Sequence, residues 1–219
     1  MIREPLALSS LLLSGLLAGA CSQNPQPSPS LVPPQTVQMD SDTLEKFREE
    51  VEEYVELRQT VLKQVPPVTP KSTSEELATR QRALNQAIVA YRKGKKRGNI
   101  FKKDVEAAIR RTLQREFTGP DGAGLMKDVK QGNPKVDGNP APQNPTKEVM
   151  QPVTLAVNAI YPDSAPFSSV PPSLLLKLRV LPDQVRYRFV GRALILRDTE
   201  ANVILDFIPD VVPDPSVPR

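Results

Sequence analysis

The sequence contains no histidine and no tryptophan, and Cys21 is its only cysteine. Histidine is the commonest general base and the commonest metal ligand in proteins. Its absence excludes Ser-His-Asp triads, Cys-His dyads and Cys/His zinc sites. Phosphate-cradling motifs such as G-x-x-x-x-G-K-[ST] are also missing. We expect no metal and no cofactor, and an enzyme of this composition would have to use carboxylates or lysine alone.

Aromatic residues make up only 5% of the chain, so the core must be aliphatic and modest in size. Proline, by contrast, is abundant, with 24 residues, and 16 of them cluster at 25–34, 66–70, 134–145 and in the tail after residue 208. Proline-rich polar segments bury too little apolar surface to fold by themselves. These clusters predict linkers between shorter ordered regions.

The chain begins with the pattern of an export signal. Arg3 precedes a leucine-rich run at residues 6–17, and three small residues, Ala18, Gly19 and Ala20, then lead to Cys21. The apolar run is too short to span a bilayer, but it has the length of a secretory signal. The sequence therefore predicts export.

The segment Leu17-Ala18-Gly19-Ala20-Cys21 resembles the bacterial lipobox, in which small residues precede a cysteine that becomes the lipidated first residue of the mature protein. It departs from that pattern at Ala18, where the family usually has leucine. The resemblance implies that Cys21 carries acyl chains such as palmitate and anchors the protein in the cell membrane or outer membrane, facing the periplasm or the exterior. The alternative is ordinary secretory cleavage, which would leave Cys21 free on a soluble protein.

The pattern of apolar residues predicts an α+β fold with the following organisation: a signal peptide at 1–20, a proline-rich tether at 21–40, a helical region at 41–131, a linker at 132–148, an antiparallel β region at 149–210 and a disordered tail at 211–219. The helical region is expected to form a bundle of three helices with a short fourth segment. The β region is expected to form a sheet of about four strands.

Capping signals and apolar periodicity define the predicted helices. The first begins at Asp42 and carries an apolar stripe interrupted only by Arg58, the second begins at Ser72, and the third runs from about Lys102 to Gly119. The short fourth segment covers residues 122–131. The stripes would be buried in an antiparallel bundle within one chain. The alternative is that the first helix, with about three heptads, forms a coiled coil between chains.

Alternating apolar residues predict the strands. The first contains Val153, Leu155 and Val157, and three more at 185–189, 193–197 and 203–208 form an antiparallel meander. A short helical turn is expected at 173–178. One face of the sheet should be buried, by packing on a helix, and the other wet.

The segments VPPSLLLKL and YRFVGRALILRDTEANVILDFIP are similar to the tails of a group of uncharacterised bacterial exported proteins. The resemblance covers about the last 65 residues. It implies export and a shared fold, and it implies no catalytic residue.

Positive charge is concentrated in one part of the helical region. Residues 41–65 contain seven acidic and four basic side chains, whereas residues 71–118 contain five acidic and thirteen basic ones. One explanation is that the acidic first helix packs beside the basic helices. The other is that a basic cluster binds an anionic surface such as lipid headgroups; its members are Lys93, Lys95, Lys96, Arg97, Lys102 and Lys103. Few aromatic residues accompany this cluster, and we expect no nucleic-acid binding.

Three carboxylates near the last hairpin, Asp198, Glu200 and Asp206, are the candidates for acid/base chemistry or cation binding. The alternative is that they form turns or pair with Arg192 and Arg197. Four arginines in this region are predicted to lie on the solvated face of the sheet and would become relevant to function if they bordered a pocket: Arg186, Arg188, Arg192 and Arg197.

Together these patterns predict a lipid-anchored protein of the cell envelope that acts as a non-enzymatic accessory or binding module. Its expected partners are the membrane, through the lipid on Cys21, and an envelope protein or anionic lipid; the sequence does not fix its oligomeric state. Two alternatives remain open. The first is a soluble periplasmic or secreted binding protein, and the second is a carboxylate-dependent hydrolase of envelope sugars.

Overall fold

The chain folds into a layer of helices and a small antiparallel sheet. A computed structural model describes residues 39–134, 136 and 151–214, all within the compact unit that spans residues 34–219. The predicted signal peptide, Cys21 and most of the tether and linker lie outside these residues. The described elements are α1 (Ser41–Leu62), α2 (Ser74–Tyr91), α3 (Lys103–Thr118), α4 (Gly122–Lys130), α5 (Pro172–Leu175), β1 (Val185–Val190), β2 (Ala193–Asp198) and β3 (Ile204–Ile208). The α+β class is therefore confirmed.

The described sheet has three strands in the order β1-β2-β3, both pairs antiparallel. A tight turn joins β1 to β2 at Gly191, whose φ of +57° lies in the left-handed region. A Cβ atom at this position would lie 2.8 Å from Cγ2 of Val136, so both the turn and the close packing require glycine. The side-chain amide of Asn133 fixes the turn by accepting from Gly191 N and donating to Gly191 O.

Both faces of this sheet are covered. Tyr187, Phe189 and Leu196 face the core formed with the helices. Val190, Ile195 and Ile204 face a second cluster that contains three residues from the segment before α5, namely Val153, Tyr161 and Ala165. The expectation of a wet face was wrong because this segment lies across it.

The predicted strand at residues 153–157 does not form. Val153 makes only an isolated bridge with Val136, and Ile160 makes another with Val203. Val153 is buried against the face of the sheet, and only those residues of the segment that follow the predicted strand, Asn158, Ala159 and Tyr161, make backbone hydrogen bonds with residues 202–204. Alternation alone does not distinguish these two arrangements.

The helix starts differ by one or two residues from the prediction. Asp40, and not Asp42, is the N-cap of α1: its carboxylate accepts from the backbone N of Thr43 at 2.8 Å and from the Thr43 hydroxyl at 2.9 Å. For α2 the cap is Thr73, which forms a capping box with Glu76. In both places several Ser, Thr or Asp residues stand close together, and backbone geometry decides which of them caps the helix.

The apolar stripe of α1 packs inside the same chain. Phe47, Val51, Tyr54 and Val61 are buried, and the ring of Phe47 stacks on that of Phe101 with centroids 6.1 Å apart. These contacts favour the intramolecular bundle over a coiled coil between chains.

The stripe of α2 is shorter than predicted. Leu84 and Ile88 are fully buried, whereas Leu77 and Tyr91 are 44% and 52% exposed. Only the middle of α2 therefore contributes to the core.

The Asp40 cap predicts a pH-dependent stability difference. Its hydrogen bonds from Thr43 hold the pKa of Asp40 below the usual 3.8, so its stabilisation is present above that value and is lost as the pH falls through the folded-state pKa. We expect Asp40→Ala to have a lower urea midpoint than the wild type at pH 7, and this deficit to shrink as the pH falls below 3.8 toward the folded-state pKa of Asp40. The control variant is Asp121→Ala. Asp121 is the N-cap of α4, but its side chain makes no capping hydrogen bond, so this variant should not show the same pH-dependent deficit. A deficit that is constant across this pH range would contradict the assignment.

Candidate binding groove

Asp198 is fully buried and has no free oxygen for acid/base chemistry. Its Oδ2 accepts from the Tyr54 hydroxyl at 2.6 Å and from Nε of Arg58 at 2.8 Å. Its Oδ1 accepts from the backbone N atoms of Glu200 and Ala201. Burial, followed by the charge of Asp198, raises the pKa of Tyr54, so this phenol remains a protonated donor.

Glu200 lies in the β2–β3 turn between two guanidinium groups. It accepts from Arg58 at 2.5 Å through Oε2 and from Arg80 at 2.8 Å through Oε1. Burial lowers the pKa of Arg58, but the charges of Asp198 and Glu200 outweigh it, so the net shift is upward. Both carboxylates therefore anchor the turn to α1 and α2.

Asp206 has a similar anchoring role on β3. It is fully buried, and its two oxygens accept from four backbone N–H groups, those of Gly98, Ile100, Phe101 and Phe207. The loop between α2 and α3 is thereby fixed to the sheet. Among the described residues, no three His, Cys, Asp or Glu side chains are grouped so that they could hold a metal ion.

The predicted arginine partners of these carboxylates were wrong. Arg192 pairs with Asp210 and Asp214. Arg197 donates to the side chain of Asn202. Asp198 and Glu200 take their guanidinium groups from α1 and α2 instead, far away along the chain.

The basic cluster occupies the loop between α2 and α3 and the start of α3. Half of it is paired: Lys95 with Glu53 at 3.4 Å, Arg97 with Glu106 at 3.0 Å and Lys102 with Glu50 at 2.9 Å. Lys93, Lys96 and Lys103 are exposed. Because Glu50 and Glu53 belong to α1, these pairs support the explanation that the acidic helix packs beside basic residues.

Arg197 does not lie on a solvated face. It is 6% exposed, and its guanidinium lies 4.6 Å from the ring centroid of Phe167 and 5.3 Å from that of Tyr161. Burial, followed by the charge of Arg188, lowers the pKa of Arg197. The remaining pair, Arg186 and Arg188, borders a groove.

This groove lies between β1 and the segment that contains α5, and its volume is about 730 Å³. Its walls are mainly apolar, formed by Val170, Pro172, Leu175, Leu176, Leu178, Val180, Leu181, Val185 and Tyr187. Three of these side chains are unusually open to solvent: Leu175 is 50% exposed, Leu176 is 69% exposed and Val180 is 96% exposed. Grouped apolar exposure of this kind marks binding surfaces.

The groove also contains polar groups without partners. Tyr187 is 2% exposed, its hydroxyl makes no hydrogen bond, and burial raises its pKa. Nε of Arg188 is likewise buried without a partner. Arg179 makes no hydrogen bond or ion pair within the described ranges, whereas Arg186 pairs with Asp183 at 3.1 Å. A buried polar group without a partner is unusual in a native protein.

The edge of β1 beside the groove is largely closed to an added strand. The hydroxyl of Ser168 bonds to both the N and the O atom of Phe189. Arg186 and Arg188 donate to the carbonyl oxygens of Val185 and Tyr187. Because these backbone groups already have partners, the groove does not favour pairing with an extended peptide.

Only part of this groove could be identified from the sequence. Arg186 and Arg188 were expected to be relevant to function if they bordered a pocket, but Arg179 and Tyr187 were not identified as candidate residues. The run of three leucines at 174–176 was a usable signal, because one short helical turn cannot bury three consecutive side chains.

Comparisons with known proteins give no further guide. No protein-family model, no curated protein and no solved structure matches the chain. Within the described part of the chain, no helix is long and apolar enough to cross a membrane.

The buried ion pair predicts a large stability difference between two arginines of α1. Arg58→Ala would leave Asp198 charged and buried, which should lower the free energy of unfolding by about 3–5 kcal/mol. Arg48 also pairs with two glutamates, but its side chain is 56% exposed, and Arg48→Ala should destabilise the protein far less because solvent screens an exposed ion pair. Urea unfolding of both variants measures the difference, and equal losses would contradict the anchoring role of Arg58.

Proposed function

We propose that this chain is a non-enzymatic binding module of the cell envelope, held at a membrane by lipid on Cys21. The single observation that carries the binding role is the groove beside β1, with its exposed apolar walls and its partnerless hydroxyl. Neither feature contributes to the stability of the fold. The lipid anchor rests on the resemblance of residues 17–21 to a lipobox.

The hydrolase alternative lacks a comparable observation. Asp198 and Asp206 are fully buried, and Glu200 is held by two arginines. Each of the three carboxylates is occupied by contacts that maintain the fold. A general acid or nucleophile needs access to its substrate, which Asp198 and Asp206 do not have. The side chain of Glu200 is 36% exposed, but each of its two oxygens is held by an arginine.

The basic cluster is a second candidate surface, directed toward anionic headgroups. Its exposed members are Lys93, Lys96, Arg97, Lys102 and Lys103. Its ion pairs reduce the excess charge that would attract a membrane. We therefore place the specific binding role in the groove and assign the cluster at most an orienting role near the membrane surface.

The anchor is tested by the intact mass of the protein purified from membranes of a bacterial host, compared with a Cys21→Ser variant. We expect a mature chain that begins at Cys21 and carries the added mass of diacylglyceryl and acyl groups. The variant should lose this mass, because serine has no thiol to form the thioether. An unmodified chain in the soluble fraction would establish the secreted alternative and overturn the anchor.

A further inference from the structure

We infer that the groove beside β1 binds a free single-chain amphiphile, with its acyl chain along Leu175, Leu176 and Val180 and its anionic carboxylate at Arg179 and Tyr187. This inference rests on the proposed binding role of the groove and names the class of ligand. It does not depend on the lipid at Cys21.

The exposed apolar walls of the groove indicate that one part of the ligand is an apolar chain. Leu176 and Val180 are 69% and 96% exposed, although burying a leucine or valine side chain is favourable in free energy. A ligand chain that covers them would recover this free energy. The volume of about 730 Å³ lies within the range of small-molecule sites.

A neighbouring groove extends the apolar surface. It has a volume of about 460 Å³ and shares Arg179, Val180 and Leu181 with the first groove. Its walls combine the apolar Leu44, Phe47 and Val51 with the ion pairs of Arg48 to Glu45 and Glu52. The two grooves meet at this shared segment. An elongated apolar chain fits such a surface better than a compact ligand does.

The unpaired polar groups of the groove indicate that the other part of the ligand is an anionic head group. The Tyr187 hydroxyl is a buried donor without an acceptor, and Tyr187 and Arg179 both line this groove. Arg179 in this groove has no hydrogen-bond or ion-pair partner among the described residues. One carboxylate would supply the missing acceptor and neutralise the charge.

Charge at the rim also favours an anion over a neutral ligand. Three arginines line the groove, Arg179, Arg186 and Arg188, against the single carboxylate of Asp183. Asp183 is 95% exposed and pairs with Arg186, so two of the three positive charges remain uncompensated by an acidic side chain lining the groove. The field in the groove is therefore positive.

The test uses a palmitic acid probe that carries a diazirine, added to the cell fraction that contains the full-length product. After irradiation, mass spectrometry of proteolytic peptides locates the label. We expect it within residues 170–188, and we expect unlabelled palmitate to compete about tenfold better than hexadecanol, which lacks the charge. Because the probe can be applied to either the membrane or the soluble fraction, failure of the anchor and failure of ligand binding are distinguishable.

Matched variants separate the groove from the rest of the surface. Arg179→Gln and Val180→Asp should each reduce labelling about tenfold, because they remove or oppose the anion contact. Arg82→Gln and Val68→Asp, at exposed positions outside the groove, should leave it unchanged. Leu176→Asp changes a second exposed apolar side chain of the groove. Limited proteolysis checks that every variant is folded.

Three outcomes would overturn the inference. The first is equal labelling of the groove and control variants. The second is equal competition by palmitate and hexadecanol. The third is labelling that phosphatidylglycerol vesicles remove and free palmitate does not, which would indicate a phospholipid headgroup as the ligand.

Discussion

A buried ion pair between Asp198 and Arg58 joins the helical layer to the sheet. The two side chains are 0% and 6% exposed, and they join residues 140 positions apart in the chain. Burying two charges is expensive unless every polar atom is satisfied. Here Tyr54 and two backbone amides complete the shell of Asp198, so only one placement of α1 against the β2–β3 turn satisfies the charges.

The same turn holds α2 in place. Arg80 bonds to Glu200, and Asn85 donates to the carbonyl oxygen of Ala201. At the far end of α2, Arg92 exchanges hydrogen bonds with Asn158 and donates to the carbonyl of Leu205. Together with the three amide bonds from the α2–α3 loop to Asp206, these contacts fix both ends of α2 to the sheet and to the segment that covers its second face.

The local sequence pattern was sufficient to predict the bounds of those helices and strands that depend on local contacts. The bounds of α3, α4 and the last three strands follow from periodicity, proline and glycine, and the structure agrees with them to within a residue or two. Arg58 shows the limit of this reasoning. In the sequence it is a break in an apolar stripe, and only its distant partner Asp198 explains why a charge belongs there.

Elements that depend on distant contacts were less predictable. Residues 153–157 have the alternation of a strand, yet their place was decided by the face of the sheet they cover. The groove likewise depends on three separate features: the exposure of α5, the closed edge of β1 and the partnerless Tyr187 hydroxyl. The sequence shows that these residues are present, but only the structure shows that the Tyr187 hydroxyl lacks a hydrogen-bond partner, which is what makes the site recognisable.

The two kinds of unusual residue in the C-terminal region have different explanations. Asp198 and Asp206 are buried charges, and their hydrogen bonds account for them within the fold. Leu176, Val180 and the hydroxyl of Tyr187 present the opposite case, because exposing apolar surface and burying a partnerless hydroxyl both reduce stability. The fold explains the acidic pair, whereas the proposed ligand, which would cover the leucine and valine and accept from the tyrosine, explains the rest.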